Sequence, residues 1–362
     1  MVKKKTGARR TKARTRQRPT VCPFIPPENR VWDFWRDGVT QSFLSTWSAC
    51  PEQARLRYVQ GWTERRVSEP LEFGNLFHFV LSELYHGKRK LPDAARINTN
   101  MDTWYDEWCR DRKVVSSTEE ETMSKVFALA RPTLAGYVDR WAGDWTGRYK
   151  LGCDVVRPVK WIATEQVFRV PFVFPDEKVV HLTGMFDGVF EDAKGGVWLL
   201  ETKTKSRIDE DGLSASLPFD RQVCLYLWAL RQKYGKQVRG VLYNVVRRPG
   251  NRLGKTEKLA AFESRIATDI RSKLGTGHHF IRWEVRMSAK ELNAWDASYL
   301  TPALHDVRAW WEGRRPHYMN PDALFSKYGK ASMFNPIVSG DFTGHYRRTR
   351  AFNELPGTDT EV

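Results

Sequence analysis

Gly184-Met-Phe-Asp-Gly-Val-Phe-Glu-Asp-Ala-Lys-Gly-Gly-Val-Trp-Leu-Leu-Glu-Thr-Lys203 consists of two runs rich in β-branched and aromatic residues on either side of the pair Gly195-Gly196. That is the pattern of a β-hairpin. If Glu191 opposes Val197 across the loop 192–196, the register sets Asp187 opposite Glu201, and cross-strand partners have Cβ atoms roughly 4.5–5.5 Å apart. Glu201 and Lys203, two residues apart on one strand, share a face. Their neighbours Val197, Trp198, Leu199 and Leu200 are apolar, and charges in such a setting are costly unless they are paired or bind a metal. A divalent cation removes the repulsion between the two carboxylates, acts as a Lewis acid and lowers the pKa of a bound water. Oxygen ligands favour Mg2+ or Mn2+. Lys203 is suited to orient that water and to offset charge on a phosphate. Alone, a Glu-x-Lys strand is more often a solvated face with an i, i+2 salt bridge.

Outward from the hairpin, Trp161–Phe174, Val179–Phe190 and Val197–Lys203 read as an antiparallel meander punctuated by Pro175-Asp176 and Gly195-Gly196. A polar loop, Ser206–Pro218, leads to a helix over Asp220–Lys233 that stops at Gly235, and then to an apolar strand, Arg239–Val246. Upstream, Phe73, Leu76, Phe77, Val80, Leu81 and Leu84 lie at helical spacing, which predicts a helix over Leu71–Tyr85 closed by Gly87. A helix capped by a Ser or Thr begins near Gln41. Two more fill Met101–Trp145, separated by a polar break at Val114–Glu120, with an architectural role for their aromatic residues. The last hundred residues mix helix and irregular structure, and no internal repeat is visible. On the predicted helices Gly74 and His78 stand at i, i+4, as do Gln222 and Tyr226, so each pair shares one face. A lone His is usually structural, but His78 can bring an imidazole to the same cation while Gly74 lets its helix approach closely.

Formal net charge is +16 with a pI near 9.7, which favours a polyanionic partner over a neutral metabolite. The first twenty residues hold nine Lys or Arg and no acid, so the remainder keeps 16 − 9 = +7. That arm, poor in apolar residues, reads as a disordered segment gripping phosphates; the alternative is a solubilising tail. With 41% hydrophobic and 13% aromatic residues, the rest has enough apolar material for a core. Five cysteines without CxxC spacing, an odd number, argue against a disulfide scaffold and for a reducing cytoplasm. No apolar run approaches a membrane span, and no apolar stretch of a signal peptide follows the N-terminal charges. The expectation is a cytoplasmic protein with no membrane partner.

Taken together, Gly74-Asn-Leu-Phe-His78, Gly184-Met-Phe-Asp187, Glu201-Thr-Lys203 and Gln222-Val-Cys-Leu-Tyr226 occur in an order that resembles the PD-(D/E)XK nuclease superfamily. Within it the likeness is to the RecB-like branch of CRISPR-adaptation nucleases and phage recombination exonucleases, over about residues 41 to 246. The resemblance implies an α/β core with a mixed central sheet flanked by helices and preceded by a helical region. It implies Asp187 and Glu201 as metal ligands, His78 as a further ligand, the Thr202 backbone carbonyl on the metal and Lys203 beside the attacking water. Gln222 and Tyr226 would organise the site or touch DNA. The domains expected are a disordered basic arm at 1–25 and one nuclease domain at 26–345, with a polar tail at 346–362. That domain divides into a helical part at 40–150, a catalytic core at 160–250 and a C-terminal part at 251–345. The resemblance implies Mg2+-dependent, or Mn2+-dependent, exonuclease action on double- or single-stranded DNA ends in recombination or repair, alongside a single-strand annealing or recombination protein, in a bacterium or a phage-infected host. Alternatives are a structure-specific endonuclease, a nuclease acting on RNA, and a binding protein without catalysis. Many relatives hold an iron–sulfur cluster with four cysteines. Here Cys50 sits where the first would be, but no cysteine follows Cys224; cluster ligation needs thiolates, so no cluster is expected, and either packing of Asn320–Asn335 stands in for it or that segment never had the role.

Deleting residues 1–20 should weaken DNA binding and flatten its salt dependence, because each neutralised phosphate contributes about −0.9 to the log–log slope on duplex DNA. Titrations at several salt concentrations check this; an unchanged slope would leave the arm without a role in phosphate contact.

Overall fold

The computed structural model describes residues 30–64, 67–86, 90–112, 114–149, 155–325, 332–338, 346–352 and 355. The basic arm, the expected helix stop at Gly87 and most of the tail lie outside them. The chain opens with α1 (Gln41–Ala49), whose N-cap Thr40 accepts a hydrogen bond from Phe43 N, and α2 (Pro51–Ala54), continued by a wider turn over Arg55–Val59. After β1 (Trp62–Glu64) come α3 (Glu69–Tyr85), α4 (Ala94–Arg112), α5 (Ser117–Arg140) and the single turn α6 (Gly143–Thr146). The sheet strands follow: β2 (Lys160–Val173), β3 (Val179–Glu191) and β4 (Val197–Lys205). Then come α7 (Glu210–Ser216), α8 (Arg221–Tyr234), β5 (Val238–Arg247), α9 (Leu259–Ser272) and β6 (Phe280–Val285). The described C-terminal part adds α10 (Ala289–Trp295), α11 (Thr301–Trp311), α12 (Pro321–Phe325), α13 (Asn335–Val338) and β7 (Tyr346–Arg348).

The expected mixed sheet is present. Its order is β2-β3-β4-β5-β6, antiparallel except for the parallel pair β4–β5. Helix α8 makes the crossover that a parallel pair requires. Its N-cap Asp220 accepts from Gln222 N and Val223 N, and Gly235, with φ 58°, ends it. Apolar residues of β4 alternate between two cores. Val197 and Leu199 join α1, α8 and α11, whereas Trp198 and Leu200 join α3, α4, α5 and α9. A sheet covered on both faces explains why Val197–Leu200 is an unbroken apolar run. The loop expected over Ser206–Pro218 is not wholly irregular: Asp209 caps the short α7 by accepting from Gly212 N. Tyr346–Arg348, at the start of the expected tail, pairs with Trp62–Glu64. Among the described residues no helix is long and apolar enough to cross a membrane.

Helix α3 crosses the sheet strand by strand. Glu69 meets Arg248 just past β5, at 2.5 Å. A Cβ at Gly74 would come within 3.1 Å of Thr204 Oγ1 on β4. His78 reaches Asp187 on β3, and Thr164 on β2 lies 3.5 Å from His86, the C-cap. A buried polar network fixes this path. Arg282 of β6 pairs with Asp144 of α6 at 2.6 Å, donates to the hydroxyls of Tyr85 and Tyr137, and lies 4.0 Å from the Trp141 ring centroid. Its Nε donates to Asn244 Oδ1, and Asn244 Nδ2 donates to Thr202 Oγ1 at 3.1 Å. Tyr85, two turns after His78 on α3, is thereby linked to the strand that carries Glu201 and Lys203.

Both side chains of the Arg282–Asp144 pair are at most 1% exposed. Removing one partner of such a pair strands a buried charge and costs about 3–5 kcal/mol. Asp144→Ala should therefore lower unfolding stability by that amount in urea titration; a loss below about 1 kcal/mol would show that α3 is held by other contacts.

Candidate functional site

The β3–β4 ladder pairs Glu191 with Val197 and ends at Gly188 opposite Leu200. One further step places Asp187 opposite Glu201, in the register read from the sequence, but there the strands part. On the other side, β2 pairs Thr164 with Gly188 and Gln166 with Phe186, which sets Glu165 opposite Asp187. The ladder is interrupted there as well. Three carboxylates thus form a row across β2, β3 and β4, with Asp187 in the middle. Like charges directly opposite each other destabilise a sheet, and the backbone departs from regularity at this row. Glu165 has φ 45°, a left-handed conformation that costs a residue bearing a Cβ about 1–3 kcal/mol. The alternation of β3 slips too, since Leu182 and Phe186 share a core with Val189 rather than with residue 188.

His78, Glu165 and Asp187 each bring a ligand atom into a group whose members lie within 4.8 Å of one another. His78 Nδ1 is 3.5 Å from Asp187 Oδ2, and that oxygen accepts from Thr202 N at 2.7 Å. Burial alone would lower the His78 pKa, but Asp187, with Glu165 behind it, outweighs burial and raises it. Burial would raise Asp187, yet His78, Lys203 and the Thr202 N–H hold it below its ordinary value. Burial, Asp187 and Glu201 push the Glu165 carboxyl up to about 8, against the opposing pull of His78.

Glu201 lies outside the group of three but adjoins it. Its side chain is 1% exposed, and among the described residues neither carboxylate oxygen accepts a well-aligned hydrogen bond. Lys203 Nζ is 2.5 Å from Oε1 as a charge contact rather than an aligned hydrogen bond. Burial, with Asp187 adding to it, pushes the Glu201 carboxyl up to about 7, and Lys203 offsets only part of that. Burial would lower the Lys203 ammonium, but Glu201 and Asp187 raise it, so it stays charged. Lys203 Nζ also donates to Gln222 Oε1 at 2.8 Å. One turn on, Tyr226 is buried, edge-on to Phe168 and Phe186, and burial followed by Glu201 raises its hydroxyl pKa. The Thr202 side chain points to the opposite face of β4, toward Asn244.

His78, Asp187, Glu201, Thr202, Lys203, Gln222 and Tyr226, singled out from the sequence, therefore stand in one neighbourhood, and His78 and Asp187 lie closest to a third acid, Glu165. Glu165 was missed. In a strand over Trp161–Phe174 it reads as one more polar residue, and the hairpin spacing fixes the register only on the other side of Asp187. Counting back from Val173 opposite Val179 brings Glu165 opposite Asp187, and that like-charge pair is the signal. Buried carboxylates whose charge the neighbouring groups offset only in part, raised carboxyl pKa values and an imidazole beside them fit a hard divalent cation. Cys50 is elsewhere. It is buried in a small third core with Leu56, Leu324, Phe334, Ile337 and Val338, and its sulfur accepts from Asn320 N at 3.3 Å. The segment expected to replace a cluster by packing, as far as it is described, does pack against Cys50.

A family model for the PD-(D/E)XK nuclease superfamily matches residues 39–312, well over half of the chain. Comparison with curated proteins gives no match.

A carboxyl raised in the folded state stabilises the protein most below its unfolded pKa, and that contribution is lost as pH rises through the folded value. For Glu165 the window runs from 4.5 to about 8. In metal-free buffer Glu165→Gln should therefore melt higher than the parent near pH 9, with the gap closing toward pH 5. Thermal melts in a chelator read this directly; a gap that does not change with pH would remove Glu165 from the repulsive row.

Proposed function

The chain belongs to the PD-(D/E)XK nuclease superfamily, and from that premise we propose that it is a metal-dependent deoxyribonuclease that degrades DNA from an end. The observation that carries the reading is the row Glu165, Asp187 and Glu201 with His78 and Lys203 beside it. Asp187, Glu165, His78, Glu201 and the Thr202 backbone carbonyl are the groups that would hold Mg2+ or Mn2+. Such a cation, when bound, polarises the phosphodiester and makes water a competent nucleophile near neutral pH. Lys203, kept charged by Glu201 and steadied by Gln222, offsets the charge that develops on the phosphate. Tyr226, buried against Phe168 and Phe186, would keep that side of the site apolar and so strengthen the interaction. The charge of +16 supplies the non-specific grip that a backbone-cutting enzyme needs.

End dependence is supported by three features. The sequence carries no zinc-finger spacing or appended helix-turn-helix with which to commit side chains to base edges. The helices before β2 cover one face of the sheet and can narrow the approach to Asp187. The resemblance to RecB-like enzymes that process ends, in recombination or spacer capture, points the same way, and a recombination or annealing protein is the partner that role would call for.

Asp187→Ala, Glu201→Ala and Lys203→Ala should each abolish Mg2+-dependent cleavage while leaving DNA binding largely intact, since binding rests on phosphate contacts elsewhere. His78→Ala should be milder. Supercoiled plasmid, the same plasmid linearised, and labelled RNA, each with and without Mg2+, are the substrates to compare. Rapid loss of linear DNA with the circle spared is expected. Equal rates on both would make the protein an endonuclease, cleavage of RNA alone would change the substrate, and binding without cleavage of any of them would make it a binding protein.

A further inference from the structure

Where the parallel strands β4 and β5 end, the chain turns at Arg248-Pro249-Gly250 and leaves a cavity of about 450 Å³ between α3, α5 and α9. Ligands of open α/β sheets gather beyond the carboxyl ends of parallel strands, and this is that end of the pair. The wall carries Lys125 from α5, Arg248 after β5 and Arg252 from the following turn, against one carboxylate, Glu69 at the start of α3. Arg248 lies 2.5 Å from Glu69, so this acid is neutralised within the wall and two cations remain in surplus. Lys125 contacts Glu121 at 2.7 Å across an i, i+4 pair at the helix surface, an interaction worth little in water and readily exchanged for a stronger anion. Glu257, in the turn that follows, is taken by Arg265 at 2.8 Å, and among the described residues no ion pair engages Arg252. Gly250 leaves its main chain open: nothing lies within 4 Å of where its Cβ would stand.

The cavity is in line with the candidate site. Val245 pairs with Lys203, and Arg248 follows three residues later, about 10 Å further along at ~3.3 Å per residue. That distance corresponds to about three stacked nucleotides at ~3.4 Å each. We propose that the cavity is a phosphodiester-binding subsite in which Lys125, Arg248 and Arg252 hold a backbone phosphate about three nucleotides from the bond being cut. The inference rests on the nuclease reading and adds the path of the substrate strand: from Asp187 over the end of β4, alongside the first turns of α3, to the turn after β5. Glu69 acts here as a brace that keeps Arg248 extended into the cavity.

The test uses the full chain and its Lys125→Ala/Arg252→Ala double variant, neither position belonging to the metal-binding or hydrolytic groups. Binding of a long oligonucleotide in chelator is followed against salt, and cleavage in Mg2+ is followed on the long oligonucleotide and on one too short to reach the cavity. The variant should lose about 0.7 units of log–log salt slope, the contribution of one phosphate on a single strand. It should raise KM on the long substrate several-fold with kcat unchanged, and match the parent on the short one. Lys125→Arg/Arg252→Lys, which keeps both charges, should restore the slope, separating phosphate contact from any loss of folding. An unchanged slope and KM in a parent that binds and cuts would overturn the subsite alone. A parent that neither binds nor cuts would overturn the nuclease reading, and the subsite with it.

Discussion

Asp187 sits between two other acids, and the rest of the site follows from that placement. A pair of unit charges 4 Å apart interacts by about 4 kcal/mol at an effective dielectric constant of 20, a large amount beside the net stability of a domain. The ladder interrupted on both sides of Asp187, the left-handed Glu165 and the slipped alternation of β3 are local responses to this crowding. Lys203 and His78 supply positive charge, yet Glu201 and Glu165 keep raised carboxyl pKa values, so side chains alone leave the row under-compensated. A hard dication is the compensation whose charge and ligand preference match what is missing.

The imidazole reaches this row only because α3 takes one path across the sheet. Gly74 permits close approach to Thr204, and the Arg282–Asp144 pair, through Tyr85, clamps the far half of the helix. Asn244 carries the same network to Thr202, whose N–H holds Asp187. The geometry of the candidate site, assembled from α3, β2, β3 and β4, thus depends on buried side chains of α6, β5 and β6, of which Asn244 touches Thr202. Such supporting contacts are what keep a functional constellation in register.

What the sequence disclosed and what it hid follow from the range of the interactions. The hairpin around Gly195-Gly196 is local, so its register, and with it Asp187 opposite Glu201, could be counted from residue spacing. The helices carrying His78, Gln222 and Tyr226 announced themselves by period and by caps, as Asp220 and Gly235 illustrate. Glu165 is also within reach of counting, but its strand shows no gap in β-propensity, and a lone Glu in an alternating strand reads as solvent-facing. Asp144 and Arg282 lie 138 residues apart, and no periodicity relates them. The cavity after β5 is likewise invisible in sequence, because its three cations come from an α-helix, a strand end and a turn.

Glu165 also bears on how this fold would change if selection for cleavage ceased. Its φ of 45° is a conformation glycine adopts without penalty, and its carboxyl adds repulsion that a glycine would remove. Replacement at this position would relieve both burdens at once, so it is among the substitutions a decaying copy should accept earliest. Persistence of an acid at a left-handed position is therefore a mark of continued use, whereas glycine there, on an otherwise intact sheet, would identify a descendant that kept the scaffold after abandoning the chemistry.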